Sequence, residues 1–178
     1  MDVATKELWV VVGLPFSGKT TFTKTIQPEK ADVISRDAIL ESINHDNVLR
    51  QKLFFKAQTI NQPESVLFST TKENAWNDVV TEEYVRRVTE KVQKSEKEKV
   101  IVDGTHLSVA SRRFIKNILD RKIIAIIMYT PKDVCLVRFR GAQLQGIRST
   151  ITEKLIERMD EIKVLPTLQE GFDEIRCE

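Results

Sequence analysis

Cysteine is nearly missing from this chain. Of 178 residues only Cys135 and Cys177 carry a thiol, too few and too far apart for a disulfide framework or a C-x-x-C site. A reducing, cytoplasmic setting is therefore expected. No apolar run approaches the roughly 20 residues that a membrane span needs, and residues 1–7 are too polar for a secretory leader. Charge of one sign is lacking too: 28 cations face 26 anions, a formal net charge of +2. A bulk positive field is thereby excluded, so nucleic-acid affinity would need a local cationic groove. No Gly/Ser/Pro-rich linker or internal repeat divides the chain, and residues 1–178 read as one domain able to bury a core.

What is present is alternation. Short Val/Ile-rich runs at Leu8–Val12, Asp32–Ile34, Lys99–Val102, Lys122–Tyr129 and Glu174–Cys177 are separated by helical patterns. Near-continuous apolar strands suit burial on both faces. The expected fold is α/β, with a five-stranded, mostly parallel sheet and helices on both faces. Ser35 can cap a helix over Asp37–Ile43. Val80, Tyr84, Val88 and Val92 recur every fourth residue and predict a helix over about 79–97. Phe114, Ile115, Ile118 and Leu119 repeat the pattern after Ser108. Thr130-Pro131-Lys132-Asp133 has the form of a helix start, with cap, proline and acid. A last long helix starts near Thr152, with Leu155, Met159 and Ile162 facing inward. Over Asp46–Asp78 the stretch LRQKLFFKAQ has a helical pattern and the rest has no period; a loop over a cleft and a plain surface excursion both fit.

The most informative string follows the first strand: Gly13-Leu14-Pro15-Phe16-Ser17-Gly18-Lys19-Thr20-Thr21. It spells G-x-x-x-x-G-K-[ST], a phosphate-cradling P-loop. Gly13 and Gly18 permit backbone angles that turn successive N–H groups into one concavity. The following helix adds its positive dipole end. Lys19 supplies charge to the β and γ phosphates, and the Thr20 hydroxyl is placed to hold Mg²⁺. Residues 13 and 15–21 are the candidate nucleotide contacts, and a purine nucleotide with Mg²⁺ the expected ligand.

Asp103 ends the strand KVIVD and is the expected acid beside Thr20, orienting the metal's water shell. Gly104 follows it, where a motor ATPase commonly carries a water-polarising glutamate. Neither N-K-x-D nor D-x-x-G occurs, the strings a GTPase switch wants. Both absences favour transfer of phosphate to a hydroxyl other than water's. Asp37 in ISRDAIL lies just past the second strand, where parallel strands open onto the P-loop crevice; it is the expected general base. Two readings of Arg36 stay open, a partner for substrate charge or a solvated arginine. Arg138, Arg140 and Arg148 share a stretch with Gly141 and Gly146, which are expected to act as hinges. The stretch 138–152 is expected to be a closing lid whose arginines neutralise the moving phosphoryl group. Arg148 and Arg138 are the first choices for that role. Two readings of Arg112 and Arg113 stay open, contact with a nucleic-acid backbone or the outside of the helix over 108–121, with the outside favoured.

These strings, GLPFSGKTTF, SRD, IVDGTHLSVASRR, the arginine segment before LIERM, and EGFDEI, resemble in content and order the polynucleotide-kinase-like P-loop kinases of the AAA_33 type, including the kinase module of phage end-healing polynucleotide kinases. The resemblance implies a P-loop NTPase fold with an arginine lid, ATP with Mg²⁺, and transfer to a hydroxyl. It makes Asp37 the base, Lys19, Thr20 and Asp103 the phosphate and metal side, and places Thr105 and His106 near the acceptor. Phe16 departs from it, standing where these loops usually carry glycine. So does Leu40, which replaces an arginine that holds the acceptor's phosphate. The expected activity is a kinase for the 5′-hydroxyl of RNA or DNA. A kinase for a nucleoside, sugar or nucleotide sugar, as in zeta-toxin-like enzymes, is the alternative, and a nucleotide-binding module without catalysis is the third reading.

Overall fold

The computed structural model describes residues 5–26, 29–60, 72–147 and 150–178. Five strands form one sheet in the order β2-β3-β1-β4-β5: β1 (Glu7–Val12), β2 (Ala31–Ser35), β3 (Lys99–Asp103), β4 (Lys122–Ile127) and β5 (Glu174–Cys177). Every neighbouring pair is parallel, so the sheet is wholly rather than mostly parallel. Its burial explains the continuous apolar runs. Leu8, Val10 and Val12 point to one face, with Val100, Val102 and Ala125, while Val11 points to the other with Ile101, Ile124 and Ile126. The period-two alternation of a strand thus feeds two cores.

On the first face lie α2 (Arg36–His45), α3 (Asn47–Ile60) and α4 (Lys72–Lys94), which contribute Ile39, Ile43, Leu53, Tyr84, Val88 and Val92. On the second, Phe22 of α1 (Lys19–Lys24) packs with Trp9. A third cluster joins Leu14 and Phe16 of the P-loop to α6 (Lys132–Leu144) and α7 (Glu153–Ile162) through Leu136, Phe139 and Ile156. Because β1 is central, with β3 on one side and β4 on the other, the chain reverses its winding at β1. The crevice at such a point, beyond the carboxyl ends of the strands, is where this architecture takes ligands. Residues 13–20 lie there.

Several local expectations are corrected. The helix after Ser108 is α5 (Val109–Arg112), and it tightens into a 3₁₀ turn over Arg113–Asn117. Three residues per turn break the fourth-residue stripe, so Phe114, Ile115 and Ile118 are buried while Leu119 is 93% exposed. In α4 the first buried valine is Val79, not Val80. In α7, Ile156 is the fully buried residue, and Ile162 is 60% exposed. Thr130 does not cap α6; its hydroxyl donates to the Ser17 carbonyl oxygen at 2.8 Å, which ties the start of α6 to the P-loop.

Gly141 is no hinge, since it lies inside α6. Gly146, at φ +75, sits just past that helix's C-cap. Its N–H donates to Gln143 at 2.9 Å and the Ile147 N–H donates to Ala142 at 3.0 Å, the paired bonds of a Schellman cap. The region expected as a lid is therefore largely helix α6, its cap and the Thr152 cap of α7. Arg148, together with most of the unpatterned stretch before α4, lies outside the described residues.

Candidate active site

The P-loop obtains its curvature from two glycines. A side chain at Gly13 would meet the Ser17 Oγ at 2.7 Å, and Gly18 has φ +98, a conformation that favours glycine. Phe16 takes φ +63 without being glycine. Its strain is offset by an edge-on contact with Phe139, with ring centroids 5.4 Å apart, and by a bond from Arg138 Nη1 to the Phe16 carbonyl oxygen at 3.1 Å. Phe16 therefore fills a slot on α6.

Lys19, the first residue of α1, donates from Nζ to the Leu14 carbonyl oxygen at 2.6 Å. Burial lowers its pKa, opposed by attraction to Asp103, Cys135 and Asp37. Asp103 shifts the other way: burial raises it, Lys19 lowers it and Asp37 raises it. Asp103 pairs in register with Ser35 across β2 and β3. Ser35 in turn caps α2 by accepting the Ala38 N–H, which sets exposed Asp37 in the first turn of that helix. Lys19, Asp37 and Asp103 thus sense one another electrostatically at the strand ends. A cavity of about 710 Å³ runs from Lys19 along Ser17, Gly18, Thr20 and Thr21 to Thr25, Arg138 and Glu178. That is room for a nucleotide. Asp37 and Asp103 do not line it, so Lys19 joins the cavity to the acidic pair.

The fit to Mg²⁺ follows from the donor set. Among the described residues no three His, Cys, Asp or Glu side chains gather into a metal cluster. Thr20 is exposed at the cavity wall, and Asp103 is half-buried beside Lys19. A hydroxyl, one carboxylate and substrate phosphates are the sparse set that Mg²⁺ uses, since it keeps much of its water.

His106 is corrected. It is fully buried, with both ring nitrogens engaged. The Val11 carbonyl oxygen can only accept, so Nδ1 carries the proton and donates to it at 2.8 Å; Nε2 then accepts from the Tyr84 hydroxyl at 2.7 Å. No nitrogen is left for an acceptor. Burial pushes its pKa down to about 3. The unfolded chain binds this proton below about pH 6.5 and the folded protein does not until about pH 3. Stability should therefore fall as the medium is acidified from pH 6.5 to 5, at a rate approaching 1.4 kcal/mol per pH unit. Urea unfolding across that range checks this, and a pH-independent midpoint contradicts it.

Arg112 is corrected as well. It is fully buried instead of lining the outside of its helix, whereas Arg113 is exposed. Its Nε and Nη2 donate to the two Glu170 carboxylate oxygens at 2.9 and 2.8 Å, and Nη1 donates to the carbonyl oxygens of His106 and Val164. Arg140 is held by Glu153 through two bonds of 2.8 Å, which link α6 to α7. The Thr105 carbonyl oxygen accepts the Gly13 N–H at 3.1 Å; that segment supports the loop. Arg138 lies against Phe16 and Gly18 at the cavity wall. Tyr84, missed as a site residue because it reads as helix stripe, lies under Arg36 and fixes His106.

A parallel sheet of this strand order, with G-x-x-x-x-G-K-T closing its central strand, defines a P-loop fold of the kinase kind. The chain belongs to the AAA domain family (AAA_33), whose profile matches residues 8–163. No curated protein sequence matches it. Among solved structures it is similar to TT1252 from Thermus thermophilus, at 14% identity and TM-score 0.59, covering 98% of this chain and 89% of that one. A gluconokinase from Sinorhizobium meliloti 1021 is similar at 16% identity and TM-score 0.56, covering 97% and 82%. Shikimate kinase from Acinetobacter baumannii, in complex with shikimate, is similar at 15% and 0.50, covering 97% and 83%. At these identities the likeness is one of fold.

Proposed function

We propose that the protein is an ATP-dependent phosphotransferase that moves the γ-phosphate to an alcohol group of a small soluble acceptor. The observation that carries this is placement: Asp103 pairs in register with Ser35, Ser35 caps the helix whose first turn holds Asp37, and Lys19 begins α1, so the three charges meet where the strands end. Asp37 is exposed and lies in the first turn of α2, free to accept the proton of an incoming hydroxyl. The acceptor oxygen bonds to the γ-phosphorus as its proton passes to the Asp37 carboxylate. The bond from that phosphorus to the bridging oxygen breaks, leaving its electron pair on ADP. Lys19 neutralises charge on the moving group, and the P-loop N–H groups hold the donor in line. Thr20 and Asp103 would hold Mg²⁺ and its water shell, and the ion would add further neutralisation of phosphate charge.

The small acceptor is supported by what surrounds Asp37. Leu40 is partly buried against the core, and Arg112 is consumed by Glu170. Neither serves a nucleic-acid backbone. The gluconokinase and shikimate kinase of the same fold are named for small hydroxy acids. A second reading, transfer to the 5′-hydroxyl of RNA or DNA, is favoured by the order of the SRD and DGTH strings along the chain. Incubation with γ-labelled ATP, Mg²⁺ and a panel of sugars, hydroxy acids, nucleosides and 5′-hydroxyl oligonucleotides tests the two. Label is expected on a small acceptor, with little sensitivity to salt. Label confined to oligonucleotides, falling steeply as salt rises, would establish the second reading instead.

A further inference from the structure

Among the described residues Arg36 has no hydrogen-bond partner. Elsewhere the buried or packed arginines have acceptors: Arg87 has Glu83, Arg112 has Glu170 and Arg176 has Glu174, while Arg121, whose Nε is also buried without a partner among the described residues, still donates both Nη groups to the carbonyl oxygens of Ser95 and Lys97. The Nε of Arg36 is buried and has no partner among the described residues, and no carboxylate there pairs with its guanidinium. Packing alone fixes it. Its Cβ and Cδ lie 2.8 and 2.9 Å from where a side-chain carbon at Gly104 would stand, so the glycine after Asp103 makes room for the stem. Its guanidinium carbon sits 5.5 Å from the centroid of the Tyr84 ring, and Tyr84 is itself 1% exposed and anchored to His106.

An unmatched buried donor carries an uncompensated desolvation cost, and a clamped stem has already lost its rotamer freedom. Both costs favour a ligand that supplies the missing acceptors. Arginine's planar fork matches a carboxylate or phosphate through two parallel bonds.

We infer that Arg36 recognises an oxyanion on the acceptor, a carboxylate or a phosphate carried close to the hydroxyl that is phosphorylated. The inference rests on the phosphotransferase reading above and adds the class of acceptor to it. Arg36 and Asp37 are consecutive, with Cα atoms about 3.8 Å apart, so a compact molecule can engage both. An acceptor that turns its hydroxyl to Asp37 and its anionic group to Arg36 satisfies both sides.

Two measurements test this. First, the protein saturated with Mg²⁺ and a non-hydrolysable ATP analogue, so that the P-loop is filled, is titrated separately with acetate and inorganic phosphate while its thermal midpoint is followed. At least one anion should raise the wild-type midpoint and leave Arg36→Gln unmoved; the more effective anion identifies the source. Equal shifts in both proteins overturn the inference. Should Arg36→Gln not fold, Arg36→Lys replaces it. The lysine lacks the fork and should weaken anion binding several-fold, so unchanged binding counts against the inference.

Second, γ-labelled ATP is offered with matched pairs, gluconate against glucitol and a nucleoside 3′-phosphate against the nucleoside. The anionic member of a pair should be favoured by about 10- to 100-fold in kcat/KM. Arg36→Gln should erase that preference through the KM of the acceptor while the KM for ATP stays put. Equal use of both members, or a rise in the KM for ATP instead, overturns it. Anion binding at Arg36 without transfer to any acceptor would support the site and count against the kinase reading, so the two fail separately.

Discussion

Replacing Asp37 with alanine should leave ATP binding nearly intact while turnover falls by about two to four powers of ten. The split follows from position. Asp37 does not line the cavity along the P-loop, which Lys19, Thr20 and Arg138 share, so the donor nucleotide keeps its contacts. The carboxylate lost is the one that senses Lys19 and Asp103 from the first turn of α2. Ser35, not Asp37, supplies the helix cap, so folding should be little affected. Equilibrium binding of a fluorescent ATP analogue and initial rates on the same preparation make the comparison. Loss of both in equal measure would mean that Asp37 shapes the donor site and takes no proton.

The largest effect on stability should come from Glu170→Ala. Arg112 is 0% exposed and Glu170 12%, and their two parallel bonds leave the guanidinium satisfied only while the carboxylate is present. Removing one partner of a buried pair strands the other charge, at about 3–5 kcal/mol. Glu170 also accepts the Thr167 N–H in a capping box over Leu168–Glu170, so the turn before β5 should loosen with it. Urea unfolding measures the loss. Glu170→Gln, which keeps an acceptor oxygen, should lose less. Arg112→Met combined with Glu170→Leu should recover much of the deficit, because both charges then leave together. A Glu170→Ala protein as stable as wild type would mean that the arginine finds water.

What the sequence made legible was what short-range physics dictates. Val10, Val11 and Val12 feeding Gly13 announced a strand running into a phosphate loop, and the structure puts that strand at the sheet's centre. Ser35 before Asp37 marked a helix start, and it caps α2. Arg112 was misread because two adjacent arginines on a short amphipathic stretch look like a wetted face. The groups that bury it, Val164 and Glu170, lie 52 and 58 residues further along the chain. His106 failed for the same reason: its partners are Tyr84, 22 residues earlier, and Val11, 95 residues earlier. Gly141 and Gly146 looked equivalent as letters. Only backbone geometry separates a glycine inside a helix run from one that ends it.

Phosphate loops are usually thought of as portable, a short spelling that works wherever a strand meets a helix. Here the spelling includes a phenylalanine whose unfavourable backbone angle is sustained by Phe139 and Arg138, more than a hundred positions away. Transplanted without those two neighbours, residues 13–20 would carry the letters and lose the shape. A displacement of α6 would reach the P-loop directly, through those two contacts.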